Sequence, residues 1–317
     1  MENQEPDYSG FLHERLRNQY TNFTLLATKR KSMLFQAKSI ASESEFLIEV
    51  FNSATSDSNS LWKDIEVFIQ KAFLQLKCKH ENILKVIDCD LDMQEYKLFV
   101  VFPYYPNLKE VLADKSQTIN VAKLFEDVSQ ALQYAHVNFQ VAHGTLTTES
   151  IYYDQVKDVY MVSNLTFPHE ILGQTAQNFE SHFLDLRSLS KEYWVPELRL
   201  FSDLESLALN VRRIDVYLLG LVVLECLGID RKYFLYLEKG LSDAMHYNLL
   251  LKGLLVEGCE NFQNTAKTKD MLFKMLQKEP ESRPNLILID FSGEPGENLQ
   301  LENISASSNR NYNCNLS

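Results

Sequence analysis

The chain has 317 residues, 45% hydrophobic and 23% charged, a composition that suits a soluble globular protein with a sizeable core. A formal charge of −12, with no long run of lysines or arginines, argues against nucleic acid or an anionic membrane surface as a partner. The five cysteines, Cys78, Cys89, Cys226, Cys259 and Cys314, lack the paired spacing of a zinc site or disulfide framework and read as reduced thiols. No signal-peptide pattern opens the chain, and the longest apolar run, Val216 to Cys226, is too short to span a bilayer. A cytoplasmic location without membrane insertion is expected.

In chain order, residues 1–20 form a polar N-terminal extension. Phe23–Ala27 and Leu34–Ile40 read as strands around Lys29-Arg30-Lys31, a solvated basic turn or, as the competing reading, a direct anion site. A third strand covers Phe46–Phe51, and a Ser/Asn/Asp loop runs over Asn52–Ser60. Leu61–Lys79 places Ile65, Phe68, Ile69, Ala72 and Leu76 at helical spacing. Ile83–Cys89 and Leu98–Phe102 follow as strands, the last ending at Pro103, which has no ladder donor. Five strands and one helix make a small lobe.

Beyond Pro106 the period turns helical, at Leu108–Ala113 and at Val121–Asn138 with Leu124, Val128, Ala131, Leu132 and Ala135 on one face. Short strands are expected at Ile151–Tyr153 and Val159–Val162. An irregular stretch over Asn164–Trp194 precedes an apolar helix at Asp215–Cys226, and more helices run to about Lys278. Ser292–Ser317 has little to bury and reads as a disordered tail.

Five local strings, in this order, resemble the eukaryotic protein kinases. HENILKVID at His80 resembles the boundary between the small lobe's helix and its fourth strand. VAHGTLTTESIYY at Val141 resembles the catalytic loop, and YWVPE at Tyr193 the end of the activation segment. DVYLLGLVVLECL at Asp215 and MLFKMLQKEPESRP at Met271 resemble the central and late helices of the large lobe. Ser150 also lies thirteen residues before Ser163, the spacing of the family's two metal ligands. The resemblance implies an α+β bilobal fold, with an N-lobe over 21–102, hinge and mainly helical C-lobe over 103–290, and a tail over 291–317.

The same alignment implies lost chemistry, because phosphoryl transfer needs a carboxylate base, metal ligands, a Gly-rich loop and a Lys–Glu pair. Thr145 stands at the base position, and a neutral hydroxyl cannot take a proton there at physiological pH. Ser150 and Ser163 replace the metal-binding Asn and Asp, and Mg²⁺ prefers hard, usually anionic oxygens. Thr147 replaces the catalytic-loop Lys. The Gly-rich loop aligns with Ala27, Lys29, Ser32 and Leu34, which supply no glycine to let amides approach phosphates.

Glu49 falls where the phosphate-anchoring Lys belongs, and the family's helix spacing puts Lys71 at the Glu position, a charge-reversed pair. Leu47 and Tyr152 take the places of smaller residues around adenine, and Phe102, Pro103, Tyr104 and Tyr105 make the hinge string, so the nucleotide cleft is expected to be partly filled. His143, Glu197, Asp215 and Arg283 match structural positions of the family and are assigned no catalytic role. The position of the phosphate-receiving Arg holds Gly144, which leaves Thr166, Ser181, Ser188 and Ser190 as surface hydroxyls.

These residues imply a catalytically inactive kinase homologue, a pseudokinase scaffold or allosteric partner in signalling, with no cofactor or metal and with a protein partner such as an active kinase. The competing readings are an atypical serine/threonine kinase recruiting Glu49, Asp154, Asp158 or Asp185 to hold metal and ATP in an altered mode, and a nucleotide-binding module without catalysis.

Overall fold

Alternating apolar residues before Pro103 and apolar residues three and four apart after it divide the chain into a sheet lobe and a helical lobe. The computed structural model describes residues 12–29, 31–53, 61–90, 97–163, 165, 167–168, 195–197, 211–230, 234, 237, 243–258 and 265–286. The small lobe holds α1 (Glu14–Gln19), β1 (Tyr20–Thr28), β2 (Ser32–Ser39), β3 (Glu45–Phe51), α2 (Leu61–Lys77), β4 (Asp88–Asp90) and β5 (Phe99–Pro103). Its antiparallel sheet has the order β1-β2-β3-β5-β4.

Register explains the two faces of this sheet. Leu47 lies opposite Phe102 and Ile48 opposite Val101, so successive β3 residues enter different cores. One face gathers Phe35, Ile48, Val50, Phe99 and Val101. The other packs Leu34, Leu47, Phe51, Val100 and Phe102 under Ile65, Phe68 and Ala72 of α2.

The first face is covered by a segment that the sequence reading assigned to a polar extension. Leu12, Leu16 and Tyr20, four residues apart, are buried on it. His13 caps α1 by accepting the Arg15 N–H, and Arg15 donates to both Asp88 oxygens at 2.8 and 2.7 Å. The fourth strand is also shorter than its apolar run. Asp88–Asp90 pairs with β5, extended by the Ile87 N–H, which donates to the Val101 carbonyl at 2.9 Å, whereas Ile83 bridges Val162 of the large lobe, and the Leu84 N–H donates to the Val162 carbonyl at 3.0 Å. Leu84 and Val86 are buried by α2, which accounts for their apolar character without a strand.

The large lobe holds α3 (Leu108–Ala113), α4 (Val121–Asn138), β6 (Val141–Ala142), β7 (Ile151–Asp154), β8 (Val159–Val162), β9 (Phe167–Pro168), α5 (Val211–Cys226), α6 (Ala244–Gly258) and α7 (Thr265–Met275). Asn107 and Glu110 form a capping box at α3, which fixes where the chain leaves the hinge. Helix α5 is the centre of the core, buried from Ile214 to Leu224, as an all-round apolar helix should be. Gly220 permits that burial, since a β-carbon there would lie 2.9 Å from Leu276 Cδ2. Among the described residues no helix is long and apolar enough to cross a membrane.

Candidate functional site between the lobes

The lower wall is a loop fixed from below by one carboxylate. Asp215, fully buried on α5, accepts the backbone N–H groups of His143 at 2.9 Å and Gly144 at 2.7 Å, and pairs with His136 Nε2 at 2.7 Å. Gly144 has φ 73°, where a side chain would be strained. The His143 Nδ1 accepts the Thr145 N–H at 3.2 Å, which assigns the ring proton to Nε2. Burial pushes this imidazole down to about 4, so it is neutral near pH 7. His136 was absent from the sequence reading, although it stands seven residues before His143 on the face of α4 that meets α5.

Above this anchor the hydroxyls at the positions of the family's metal ligands turn to the backbone. Ser150 Oγ donates to the Thr147 carbonyl at 2.9 Å and accepts the Thr147 N–H at 3.0 Å. Ser163 donates its N–H to the Ser150 carbonyl at 3.0 Å and its hydroxyl to the same oxygen at 3.4 Å. Both serines are buried, while Thr145 and Thr147 are half-buried. Thr147 Oγ1 accepts the Glu149 N–H at 3.3 Å, closing the turn.

The upper wall is organised by Glu49. Lys29, beyond the end of β1, donates to its carboxylate at 3.0 Å and the Ser32 hydroxyl donates at 2.5 Å. Burial alone would raise this carboxyl, but Lys29, Ser32 and Lys71 outweigh it and hold the group below its ordinary value. Lys31 likewise meets the buried Asp64 of α2 at 2.8 Å. Lys29 and Lys31 are therefore ion-paired, a correction to the reading of a solvated basic turn, and the tip of the hairpin is tied to both β3 and α2. Lys71 faces the same small cavity as Glu49, together with Phe68, Ala72, Gln75, Val100 and Phe102. That cavity encloses about 20 Å³, room for roughly one water.

Between the walls lies apolar side chain. Leu47, Phe102 and Tyr152 are 1%, 6% and 4% exposed and belong to one cluster that joins β3, β5 and α2 to β7 and β8, with Met161 beneath and Ala27, Tyr104 and Tyr105 at its margin. The Tyr152 hydroxyl shares a hydrogen bond with Ser163, and burial raises its pKa.

Asp154 and Asp158, weighed as substitute metal ligands, serve the β7–β8 hairpin: Asp154 accepts the N–H groups of Val156 and Lys157, each at 3.1 Å, and Asp158 accepts the Tyr153 hydroxyl at 2.9 Å. Asp185, Thr166, Ser181, Ser188 and Ser190 lie outside the described residues. Among the described residues no three of His, Cys, Asp and Glu are grouped to hold a metal. Far below the cleft, Arg283 makes a bidentate pair with Glu197, both side chains fully buried, and lies over the Tyr217 ring at 4.7 Å.

No protein-family profile matches the sequence, and no curated protein sequence matches it. Solved structures do: residues 1–466 of Rad53 in complex with AMP-PNP align over 86% of this chain at 10% identity with a TM-score of 0.59. The chain spans 64% of the length of that Rad53 chain. The fold is that of a bilobal protein kinase. Mg²⁺–ATP, which this fold implies, does not fit the residues present: Glu49 would face phosphate with like charge, the Ser150 hydroxyl bonds the Thr147 backbone, the Ser163 hydroxyl is neutral and meets the Ser150 carbonyl and the Tyr152 hydroxyl, and Leu47, Phe102 and Tyr152 pack together between the walls.

Proposed function

We propose that this kinase fold transfers no phosphate and acts as a protein-binding partner, a scaffold or allosteric regulator. The observation that carries the reading is the apolar cluster of Leu47, Phe102 and Tyr152, which runs unbroken from one lobe into the other where a nucleotide would have to enter. The ion pairs of Lys29 and Lys31 support it, because they direct the hairpin's charges inward to protein carboxylates and away from a phosphate. Thr145 supports it too, since its neutral hydroxyl cannot serve as the base.

The test is a thermal-shift titration of the full chain with ATP, alone and with Mg²⁺ or Mn²⁺, beside a phosphotransfer assay. A ligand that binds only the native state raises its melting temperature, so an unchanged temperature and no transfer are expected. A shift that grows with ATP would replace this reading with a nucleotide-binding module. Transfer that disappears on Glu49→Ala would replace it with an atypical kinase.

A further inference from the structure

We propose that α1 is an autoinhibitory strap, which fills from within the chain a docking face on the small-lobe sheet that receives one arginine-bearing helix of a partner protein. The inference rests on the reading of this chain as a binding partner and names the surface.

The face lies on the side of the sheet away from α2. Met33, Phe35, Ile48, Val50, Phe99 and Val101, from β2, β3 and β5, are all buried there. The strap covers them with Leu12 and Leu16, while Glu14, Arg17, Asn18 and Gln19 are exposed on its outer side. An apolar surface of this extent, once bared, has the character of an interaction site.

The edge of this face is built to receive a guanidinium group. Arg15 Nη2 donates to both Asp88 oxygens at 2.8 and 2.7 Å, its Nη1 reaches Asp90 at 3.5 Å, and its guanidinium carbon stands 5.9 Å from the centroid of the Phe99 ring. Asp88 and Asp90 are two residues apart on the edge strand β4, so both carboxylates project from one side of it. Two carboxylates beside an aromatic ring suit a planar, delocalised cation, and a lysine ammonium does not reproduce both contacts. The chemistry of the guest follows: a helix with two apolar residues four apart and an arginine just before the second, as Leu12, Arg15 and Leu16 are arranged here.

The strap is also built to leave. Its helix has six residues, well below the ~12–15 that a helix needs to stand alone, so its helicity is lent by the face beneath. Tyr20, where helix passes directly into strand, is the pivot. It pairs with Ser39 in the sheet, its ring meets Phe46 edge-on at 5.5 Å, and next to it the Gln19 carbonyl accepts the Ile40 N–H at 2.9 Å. The ion pair that holds the strap is partly solvated, with Arg15 40% and Asp88 27% exposed, which lets a second arginine compete for it.

The experiment uses the full chain and, as probe, a fluorescent peptide of residues 12–19 stapled between positions 14 and 18, both exposed in α1. Binding to the Leu12→Ser/Leu16→Ser chain, whose strap is loosened, should be at least tenfold tighter than to the unsubstituted chain. Asp88→Arg in the loosened chain should weaken binding at least tenfold, and a peptide carrying Arg15→Asp should recover it. A peptide carrying Arg15→Lys should bind the loosened chain at least fivefold more weakly. Hydrogen exchange on the unsubstituted chain gives a reading that does not depend on the variants folding. The α1 amides should exchange at least tenfold faster than those of β3 and β5, and faster still in excess peptide, which holds the face while the strap is off.

The proposal is overturned if α1 exchanges in step with β3 and β5 or is indifferent to the peptide, if the peptide binds neither chain, or if lysine replaces arginine without loss, since each result makes α1 a fixed part of the core. A dimer of the loosened chain that the peptide dissociates would make a second copy the occupant and overturn it as well. None of these measurements contains nucleotide, so an ATP response strikes the functional reading alone and the two fail separately.

Discussion

The loop beneath the cleft and the cleft itself are neighbours in space, yet they are held together by very different means. Around Asp215, buried carboxylate, imidazole and backbone amides are matched donor to acceptor, and the Glu197–Arg283 pair is likewise enclosed and saturated. Above it, charge is gathered around Glu49 and apolar bulk joins the two walls. Removing one member of a buried polar network leaves another unpaired, at a cost of several kcal/mol. Filling a solvent cleft with Leu, Phe and Tyr buries more apolar surface and strengthens the fold. Stability thus retains the first region and tolerates, even favours, change in the second.

The sharpest attack on this contrast is at the retained network. Arg283→Met leaves the Glu197 carboxylate buried without its partner and should lower unfolding free energy by about 3–5 kcal/mol in chemical denaturation. Loss of less than about 1 kcal/mol would show that the pair is dispensable and the contrast false.

The cleft should respond next. Leu47→Ala creates a void in the cluster and should cost about 3 kcal/mol. The melting temperature should still show no dependence on ATP, because Glu49 and the committed serine hydroxyls remain. An ATP response in this variant alone would mean that bulk, and not charge, was what kept nucleotide out.

Acid should find the lower wall. The His143 imidazole titrates at about 4 in the fold, below its ordinary 6.5. Between these values the unfolded chain binds the proton and the folded one does not. The resulting stability is complete above about pH 6.5 and lost progressively as pH falls toward 4, by at most about 1.4 kcal/mol per unit. His143→Asn should flatten that slope in thermal melts between pH 7 and 4.5. An unchanged slope would locate the acid sensitivity elsewhere.

Much of the fold could be read from the sequence because kinase-like strings keep their order, and the residues expected to fill the cleft, Leu47, Phe102 and Tyr152, are those found buried in it. What could not be read is who meets whom over distance. Lys29 and Glu49 are twenty residues apart and come together only through the β2–β3 register, and nothing in Lys29-Arg30-Lys31 distinguishes an ion-paired lysine from a solvated one. Helix α1 was hidden because Leu16 and Tyr20 are lone apolar residues in a charged segment. The run Ile83–Cys89 misled for the opposite reason, since its apolar residues serve a helix and a bridge to the other lobe.

The smallest effect tests which lysine matters to Glu49. The sequence pairs it with Lys71; in the structure Lys29 and Ser32 bond its carboxylate, and Lys71 lines the same cavity and also favours the charged carboxylate. Lys29 is 36% exposed, so its pair with Glu49 is partly screened and should be worth about 1 kcal/mol. Two double-mutant cycles separate the partners, Glu49→Gln with Lys29→Met and Glu49→Gln with Lys71→Met, each read by denaturation at pH 7. The coupling to Lys29 should be the larger. Its pH dependence carries a definite sign. Because the folded carboxyl titrates below its ordinary 4.5, the coupling should be complete above that pH and fade as the pH drops through the folded value. Equal couplings would make Glu49 the shared centre of both lysines, and a larger Lys71 coupling would make the charge-reversed pair the main tie between β3 and α2.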